Sequence, residues 1–343
     1  MSVEWSDLDR LLLESLQQRV PLVPRPYQQL ALELGAGPEQ VLNRVAALAG
    51  PGGPVREISG VFDAAALGYA TTLVAAQVAD ERLDAAGAVA AGHPGVSHCY
   101  ARAGELNLWF TLAVGPDSTV GLAGTVDLLR RLMRAERMLS LPAVRRYKLH
   151  VRFDLTGRPA AHAGGAPAPA VRAAPAEPSD RQVRAIRALQ QPLAVVAEPF
   201  DGPARAEEFS AEELLVLAAD LLAAGWMRRY AAALRHRAVG ARANVLVAWE
   251  VPPQRADAFG AGAAGLDRVS HCYLRATGPR WPYNLYTMVH GPDEQEVSRT
   301  VAAIAAAGGD CRRASLPTRR EYKKARIRLF SSEFRRWEAA VLD

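Results

Sequence analysis

The chain has 343 residues, half of them hydrophobic and 22% charged, with a formal net charge of +5. This is a globular balance with enough apolar mass for sizeable cores, and the length predicts two domains or more. Three cysteines without a CxxC spacing argue against a zinc site or a disulfide framework. No apolar run is long enough to span a membrane, and the N-terminus lacks a signal-peptide pattern, so a cytoplasmic protein is expected.

The chain opens with three short helical patterns, SDLDRLLLESLQQ, RPYQQLALELG and GPEQVLNRVAALAG, with Ser6 or Asp7 as a candidate N-cap. VREISGVFD follows them as a wing, and residues 1–70 read as a winged helix-turn-helix. Residues 71–155 then alternate strand and helix. The expected strands are TTLVAAQV, VSHCYARA, LNLWFTLAV and RRYKLHVRFDL; the expected helices are DERLDAAGAVAAG and STVGLAGTVDLLRRLMRAE. This is the βαββαβ order of a ferredoxin-like domain. An Ala-, Pro- and Gly-rich stretch over 156–180 reads as a flexible linker, with His162 solvated in it. Residues 181–241 repeat the helical part, with DRQVRAIRALQQ, FSAEELLVLAADLLAAGW and MRRYAAALRH as its three segments. Residues 242–343 repeat the mixed part, with ANVLVAWEV, RVSHCYLRA, YNLYTMVHG and YKKARIRLF as strands. The expected class is α+β, a tandem repeat of winged helix-turn-helix plus ferredoxin-like domain.

Three landmarks carry the duplication. VSHCY occurs at Val96–Tyr100 and again at Val269–Tyr273, each followed two residues later by an arginine, Arg102 and Arg275. LNLWFTLAVGPD answers YNLYTMVHGPD, and SLPAVRRYK answers SLPTRREYK, at offsets of 173 to 177. A near-constant offset of this size means two homologous halves rather than a solenoid.

A winged helix followed by a ferredoxin-like domain resembles the Lrp/AsnC regulators, which bind DNA through the first part and small effectors through the second. A recognition helix needs basic and amide side chains at phosphates and base edges. Here the first candidate offers Gln40, Asn43 and Arg44, and the second offers Glu212, Glu213 and Asp220 with no basic residue. Carboxylates repel phosphates, so no DNA partner is expected.

The second half concentrates polar chemistry. Period-two alternation puts His271, Tyr273 and Arg275 on one strand face and Ser270 and Cys272 on the other. Neighbouring segments add Arg280, Tyr283, Tyr286 and His290, then Arg319, Arg320, Tyr322, Lys323 and Lys324. Histidines among arginines and lysines suit a polyanionic ligand with proton transfer. The first half keeps His98, Arg102, Arg145, Tyr147 and Lys148, but Val114 stands where His290 is expected and Val144 where Arg319 is. The second half is therefore read as the fuller site, which the first either completes or mirrors in degenerate form. Cys99 and Cys272 read as packing residues, His150 (Ala325 in the other copy) as structural, and His93 and His236 as surface residues.

VSHCYLRATGPRWPYNLYTMVHG with SLPTRREYKKARIRL resembles the second subunit type of the siroheme decarboxylases; GVSHCYARAGELNLWFTLAV with LPAVRRYKLHVRFDL resembles the first. The resemblance covers both halves apart from the linker, fused as in the haem d1 biosynthetic form. It implies loss of the two acetate carboxyl groups of siroheme at C12 and C18. No cofactor is then expected beyond the iron tetrapyrrole itself, and no metal site of the protein's own. The resemblance also implies catalytic roles for His271, His290 and His98, although a histidine could instead ligate the iron. Carboxylate-binding or substrate-binding roles fall to Arg275, Arg280, Tyr286, Arg319, Arg320, Tyr322, Lys323, Arg102 and Arg145. Expected partners are siroheme and other iron tetrapyrroles, a second copy of the chain as a homodimer, and further siroheme decarboxylase subunits. The open rivals are an Lrp/AsnC-type regulator and a haem-binding carrier without turnover.

Overall fold

The computed structural model describes residues 5–149, 177–235, 243–309 and 311–342. In chain order the first half forms α1 (Asp7–Gln18), α2 (Pro26–Leu34), α3 (Pro38–Ala49), β1 (Val55–Phe62), β2 (Ala70–Gln77), α4 (Leu83–Gly92), β3 (Val96–Arg102), β4 (Leu108–Val114), α5 (Gly121–Met133), β5 (Arg137–Leu141) and β6 (Ala143–Leu149). The second half forms α6 (Asp180–Leu189), α7 (Asp201–Ala206), α8 (Ala211–Ala223), β7 (Met227–Leu234), β8 (Ala243–Trp249), α9 (Ala256–Gly265), β9 (Val269–Arg275), β10 (Leu285–Gly291), α10 (Glu294–Gly308), β11 (Arg313–Lys324) and α11 (Glu333–Leu342). The halves do not fold as separate bodies. The helical parts of both halves form one compact unit, and the strand-rich parts of both form another.

In the helical unit Ser6 caps α1 in a reciprocal box with Asp9. Asp9 is 1% exposed and also receives the Arg44 guanidinium at 2.7 Å, which ties α3 to α1. The segment MRRYAAALRH forms the wing of the second half. Its Met227–Leu234 portion is β7, which pairs antiparallel with β1 from Val55↔Leu234 to Phe62↔Met227. The alanines of this segment favour a helix, but burying Met227, Tyr230 and Leu234 against the facing wing outweighs that weak preference. The two wings thus become one ribbon. Most of the 156–180 linker, His150, His162 and His236 lie outside the described residues.

The second unit is one sheet in the order β5-β2-β4-β3-β11-β8-β10-β9-β6. Each half contributes a ferredoxin-like group of four, β5-β2-β4-β3 and β11-β8-β10-β9. The last strand of each half starts earlier than expected, at SLP rather than after it, because it serves both halves. Residues 313–317 of β11 pair with β8, and residues 318–324 pair with β3 of the other half. Likewise β5 pairs with β2, and its continuation β6, after Pro142, pairs with β9. Both ends of the order are thus the same stretch of chain, and the sheet closes as a barrel.

Three cores follow. Phe110, Cys99 and Leu129 pack between the first sheet and helices α4 and α5; Trp249, Cys272 and Ile304 pack under α9 and α10. Trp109, Trp281, Tyr286 and Leu316 fill the barrel interior, whose lining is called the inner face below. Among the described residues no helix is long and apolar enough to cross a membrane.

Candidate active site

The two VSHCY strands sit in equivalent places, and each divides its side chains as alternation requires. Cys99 and Cys272 point under the helices, their thiols against the carbonyls of Gly87 and Gly260, and burial pushes both thiols up to about 12. His271, Tyr273 and Arg275 lie on the inner face. The imidazole stacks on Tyr273 at 6.4 Å, and Arg275 lies over the same ring at 4.7 Å. His98, Tyr100 and Arg102 repeat the set, with Arg102 5.1 Å over Tyr100. Each histidine is oriented by its preceding serine: Ser97 Oγ lies 2.9 Å from His98 Nδ1, and Ser270 Oγ 2.8 Å from His271 Nδ1. In the first half Thr111 Oγ1 extends the chain, 2.7 Å from Ser97.

His290 joins His271. In the β10–β9 ladder Met288 faces His271, and His290 lies two residues further along on the same face. A diagonal pair of this kind has Cα atoms about 7–8 Å apart. Asn244, the β8 partner of His290, accepts a 2.9 Å bond from Thr318, so this row runs towards the seam between the halves. The equivalent of His290 is Ala113, not Val114. Ala113 pairs with Thr71 as His290 pairs with Asn244, and its N–H donates to Gly95 as that of His290 donates to Arg268. Val114 points into the helix-side core. The one-residue difference between the copies therefore falls elsewhere, and sequence alignment alone had no register to place it.

Several expected ligand-binding residues do other work. Arg102 is 3% exposed; its Nη1 donates to Leu316 O at 2.9 Å and Thr318 Oγ1 at 3.1 Å, and burial pulls its pKa down to about 10. Arg275 likewise donates to Leu141 O at 2.9 Å. Each arginine grips the carbonyl before the proline in the other half's SLP. Arg145 and Tyr147 converge on Asp257, and Arg320 and Tyr322 on Asp84, both acids in the first turns of helices. The phenols and then the guanidiniums hold both carboxyls below the usual range. Lys148 donates to Leu266 O, and Lys323 to Ala91 O and His93 O, at the C-terminal ends of the same helices. Arg145, Arg320, Tyr322 and Lys323 thus lie on the helix side and do not converge with the histidines. Tyr286 is buried in the barrel interior, accepting from Trp281 Nε1 at 2.7 Å and donating to Tyr283 O at 3.1 Å. Arg280 is exposed at the tip of the β9–β10 hairpin with φ 54°, and Arg319 is exposed in a bulge of β11. His93, expected at the surface, is 3% exposed against Trp337.

Register also brings in residues the sequence reading did not use. Arg146 lies between Arg145 and Tyr147, which both reach Asp257, so it turns to the inner face, where it pairs with Tyr273. Glu321 does the same opposite Tyr100. Only the bulges on either side reveal this, and bulges leave no periodicity to read.

The comparisons with known proteins fit this architecture. The AsnC-like ligand binding domain matches residues 66–148 and 238–323, and the siroheme decarboxylase NirDL-like HTH domain matches residues 9–52. A siroheme decarboxylase of Hydrogenobacter thermophilus is 34% identical over 332 residues, 97% of each chain. The chain belongs to the siroheme decarboxylase family. A crystal structure of the siroheme decarboxylase NirDL in co-complex with an iron-uroporphyrin III analogue superposes with a TM-score of 0.77 at 30% identity, covering 98% of this chain and 99% of that one. The NirH subunit of a Pseudomonas aeruginosa siroheme decarboxylase is 38% identical but covers only 46% of this chain, with 95% of its own length. That is the size relation of one half to the fused whole.

Proposed function

We propose that the chain is a carboxy-lyase that removes the C12 and C18 acetate carboxyl groups of siroheme, giving 12,18-didecarboxysiroheme in haem d1 biosynthesis. The observation that carries this is the His271–His290 pair on one inner face, in a chain that matches a siroheme decarboxylase along 97% of both lengths. In each decarboxylation the bond from methylene to carboxylate breaks and CO2 leaves. The electron pair is delocalised into the macrocycle, and a proton then completes a methyl group. The exchange of carboxylate for hydrogen is redox-neutral, so the proposal includes no cofactor beyond the substrate's own iron.

A histidine near the carbon serves as general acid. Ser270 at Nδ1 of His271 orients the ring so that Nε2 is its proton-delivering atom. His290, one diagonal step away, serves the same acetate, and His98 is the first-half counterpart. Arg280 and Arg319, both exposed, serve as outer contacts for the remaining carboxylates. The regulator reading has less support: Arg44 is held by Asp9, and α8 carries Glu212, Glu213 and Asp220. A homodimer in the cytoplasm completes the proposal. The test is anaerobic incubation of the purified chain with siroheme, followed by mass spectrometry of the tetrapyrrole. Loss of two CO2 units is expected; bound but unchanged siroheme would leave only a carrier.

A further inference from the structure

We infer that Asn244 is a ligand of the reacting acetate, set as a hydrogen-bond donor beside His290 by Thr318 and Arg102 across the seam between the halves. The inference rests on the proposed decarboxylation and names the group that holds the leaving carboxylate. Three observations carry it. First, Asn244 stands directly across from His290 in the β8–β10 ladder, where Cβ atoms lie about 4.5–5.5 Å apart. Its neighbours Ala243 and Val245 pack towards the helices, so Asn244 turns to the inner face, and both it and His290 are half-buried. Second, the hydrogen bonds around it run in one direction. Arg102 can only donate, so its Nη1 gives a 3.1 Å bond to Thr318 Oγ1, and the Thr318 hydroxyl donates in turn to Asn244 Oδ1 at 2.9 Å. The amide oxygen is thereby engaged, and the Nδ2 end, which has no side-chain partner among the described residues, is left to donate. Third, the mirror face lacks the whole arrangement. Ala143 stands where Thr318 does, Thr71 where Asn244 does and Ala113 where His290 does. Arg275, the counterpart of Arg102, grips the Leu141 carbonyl but faces Ala143, which has no hydroxyl to offer.

The chemistry favours an amide at this place. An arginine paired with the reacting carboxylate would stabilise the charge that loss of CO2 must disperse, whereas a neutral N–H donor orients the group with less stabilisation of the ground state. The His290 ring is the other group within reach of Nδ2. It would have to accept through a ring nitrogen, and a nitrogen so engaged carries no proton to deliver. Asn244 therefore serves the carboxylate and His290 the carbon, and Thr318 is the positioning residue that fixes which end of the amide faces the substrate.

The test compares two iron porphyrins on the full chain: iron-uroporphyrin III, which carries acetates, and iron-coproporphyrin III, in which methyl groups replace them. Asn244→Ala is expected to weaken iron-uroporphyrin III binding, read from the Soret band, about tenfold, the loss of one hydrogen bond to a charged group. Iron-coproporphyrin III should bind the variant as it binds the wild type, and KM for siroheme should rise as the iron-uroporphyrin III affinity falls. Thr318→Val keeps the side-chain shape, removes the link to Arg102 and should reproduce part of the loss. Thr318→Ser keeps the hydroxyl and should restore it. Thr71→Ala, at the mirror position, should leave both affinities as they are. An equal loss for both porphyrins in Asn244→Ala would make its role structural and overturn the inference. Unchanged iron-uroporphyrin III affinity in that variant overturns it as well. In either case turnover of siroheme by the wild type leaves the decarboxylase reading intact, whereas a wild-type chain that does not convert siroheme removes both.

Discussion

His93 makes the stability of the strand-rich unit depend on pH in a calculable way. Its ring is 3% exposed, 4.2 Å from Trp337 and 6.2 Å from Phe334 of α11, and its Nδ1 accepts a 2.9 Å bond from the Gly95 N–H. Burial, and then the Lys323 ammonium, lower its pKa to about 4, against a partial pull upward from Glu338. An unfolded histidine titrates near 6.5. Between these values the unfolded chain binds a proton that the folded chain refuses, so stability falls as pH drops from 6.5 towards 4, and above 6.5 there is no penalty. Lowering pH from 7 to 5 spans about 1.5 units of that window, or about 2 kcal/mol at ~1.4 kcal/mol per unit. The perturbation is His93→Gln, which keeps an acceptor and cannot take the proton. The assay is urea unfolding of wild type and variant at pH 7 and pH 5, followed by tryptophan fluorescence. The variant is expected to be the weaker at pH 7 and to lose about 2 kcal/mol less than wild type on going to pH 5. Equal losses in the two proteins would refute the assignment. The consequence reaches the site, because His93 O is held by Lys323 and the next residues lead into β3 and His98.

His290→Ala should retain fold and iron-uroporphyrin III binding while losing on the order of 10²-fold in turnover of siroheme, as removal of a general acid does; unchanged turnover by mass spectrometry would take His290 out of the mechanism. His98→Ala should keep most of the activity in the same assay. Tyr286→Phe removes the acceptor of Trp281 and the donor to Tyr283 O, and should cost about 1–3 kcal/mol in urea unfolding with KM unaltered; a raised KM would return Tyr286 to the substrate. Cys99, Cys272 and Cys311 are all buried, so the native chain should leave a thiol reagent such as Ellman's unreacted until it is unfolded.

Much of this was legible in the sequence, and the parts that were not share a cause. Duplication, helix and strand order, and the division of VSHCY into a helix side and an inner side all follow from periodicity, and the structure carries them. What periodicity cannot show is which strand lies beside which. That Arg320 reaches Asp84, 236 residues away, depends on β11 crossing to the other half, and so does the burial of Arg102 against Leu316. The face of Arg146 is not legible in the sequence, because a bulge on each side of it breaks the alternation that marks a strand face. MRRYAAALRH shows the complementary case. Its local preference is helical, and its strand exists only because β1 lies alongside.

The duplicated motifs can now be read for what each copy must keep. VSHCY with its arginine, SLP, and the YK pair recur in both halves, and the arginine, the tyrosine and the lysine of these motifs reach the opposite half. Arg102 and Arg275 grip Leu316 and Leu141, Tyr322 and Tyr147 reach Asp84 and Asp257, and Lys323 and Lys148 hold helix ends. The rings of Tyr322 and Tyr147 lie so close over Gly87 and Gly260 that a Cβ there would come within 2.6 Å and 2.4 Å of them, which fixes glycine at both positions. These contacts close the barrel, and closure needs both copies. Three positions that differ between the copies, Ala113 against His290, Glu321 against Arg146 and Lys324 against Leu149, line the inner face. The shared arginine, tyrosine and lysine therefore join the halves, while these three divergent positions make the two inner faces chemically different. A charge or a histidine can change on an inner face without opening the seam, which is how one half can specialise while the fused pair stays closed.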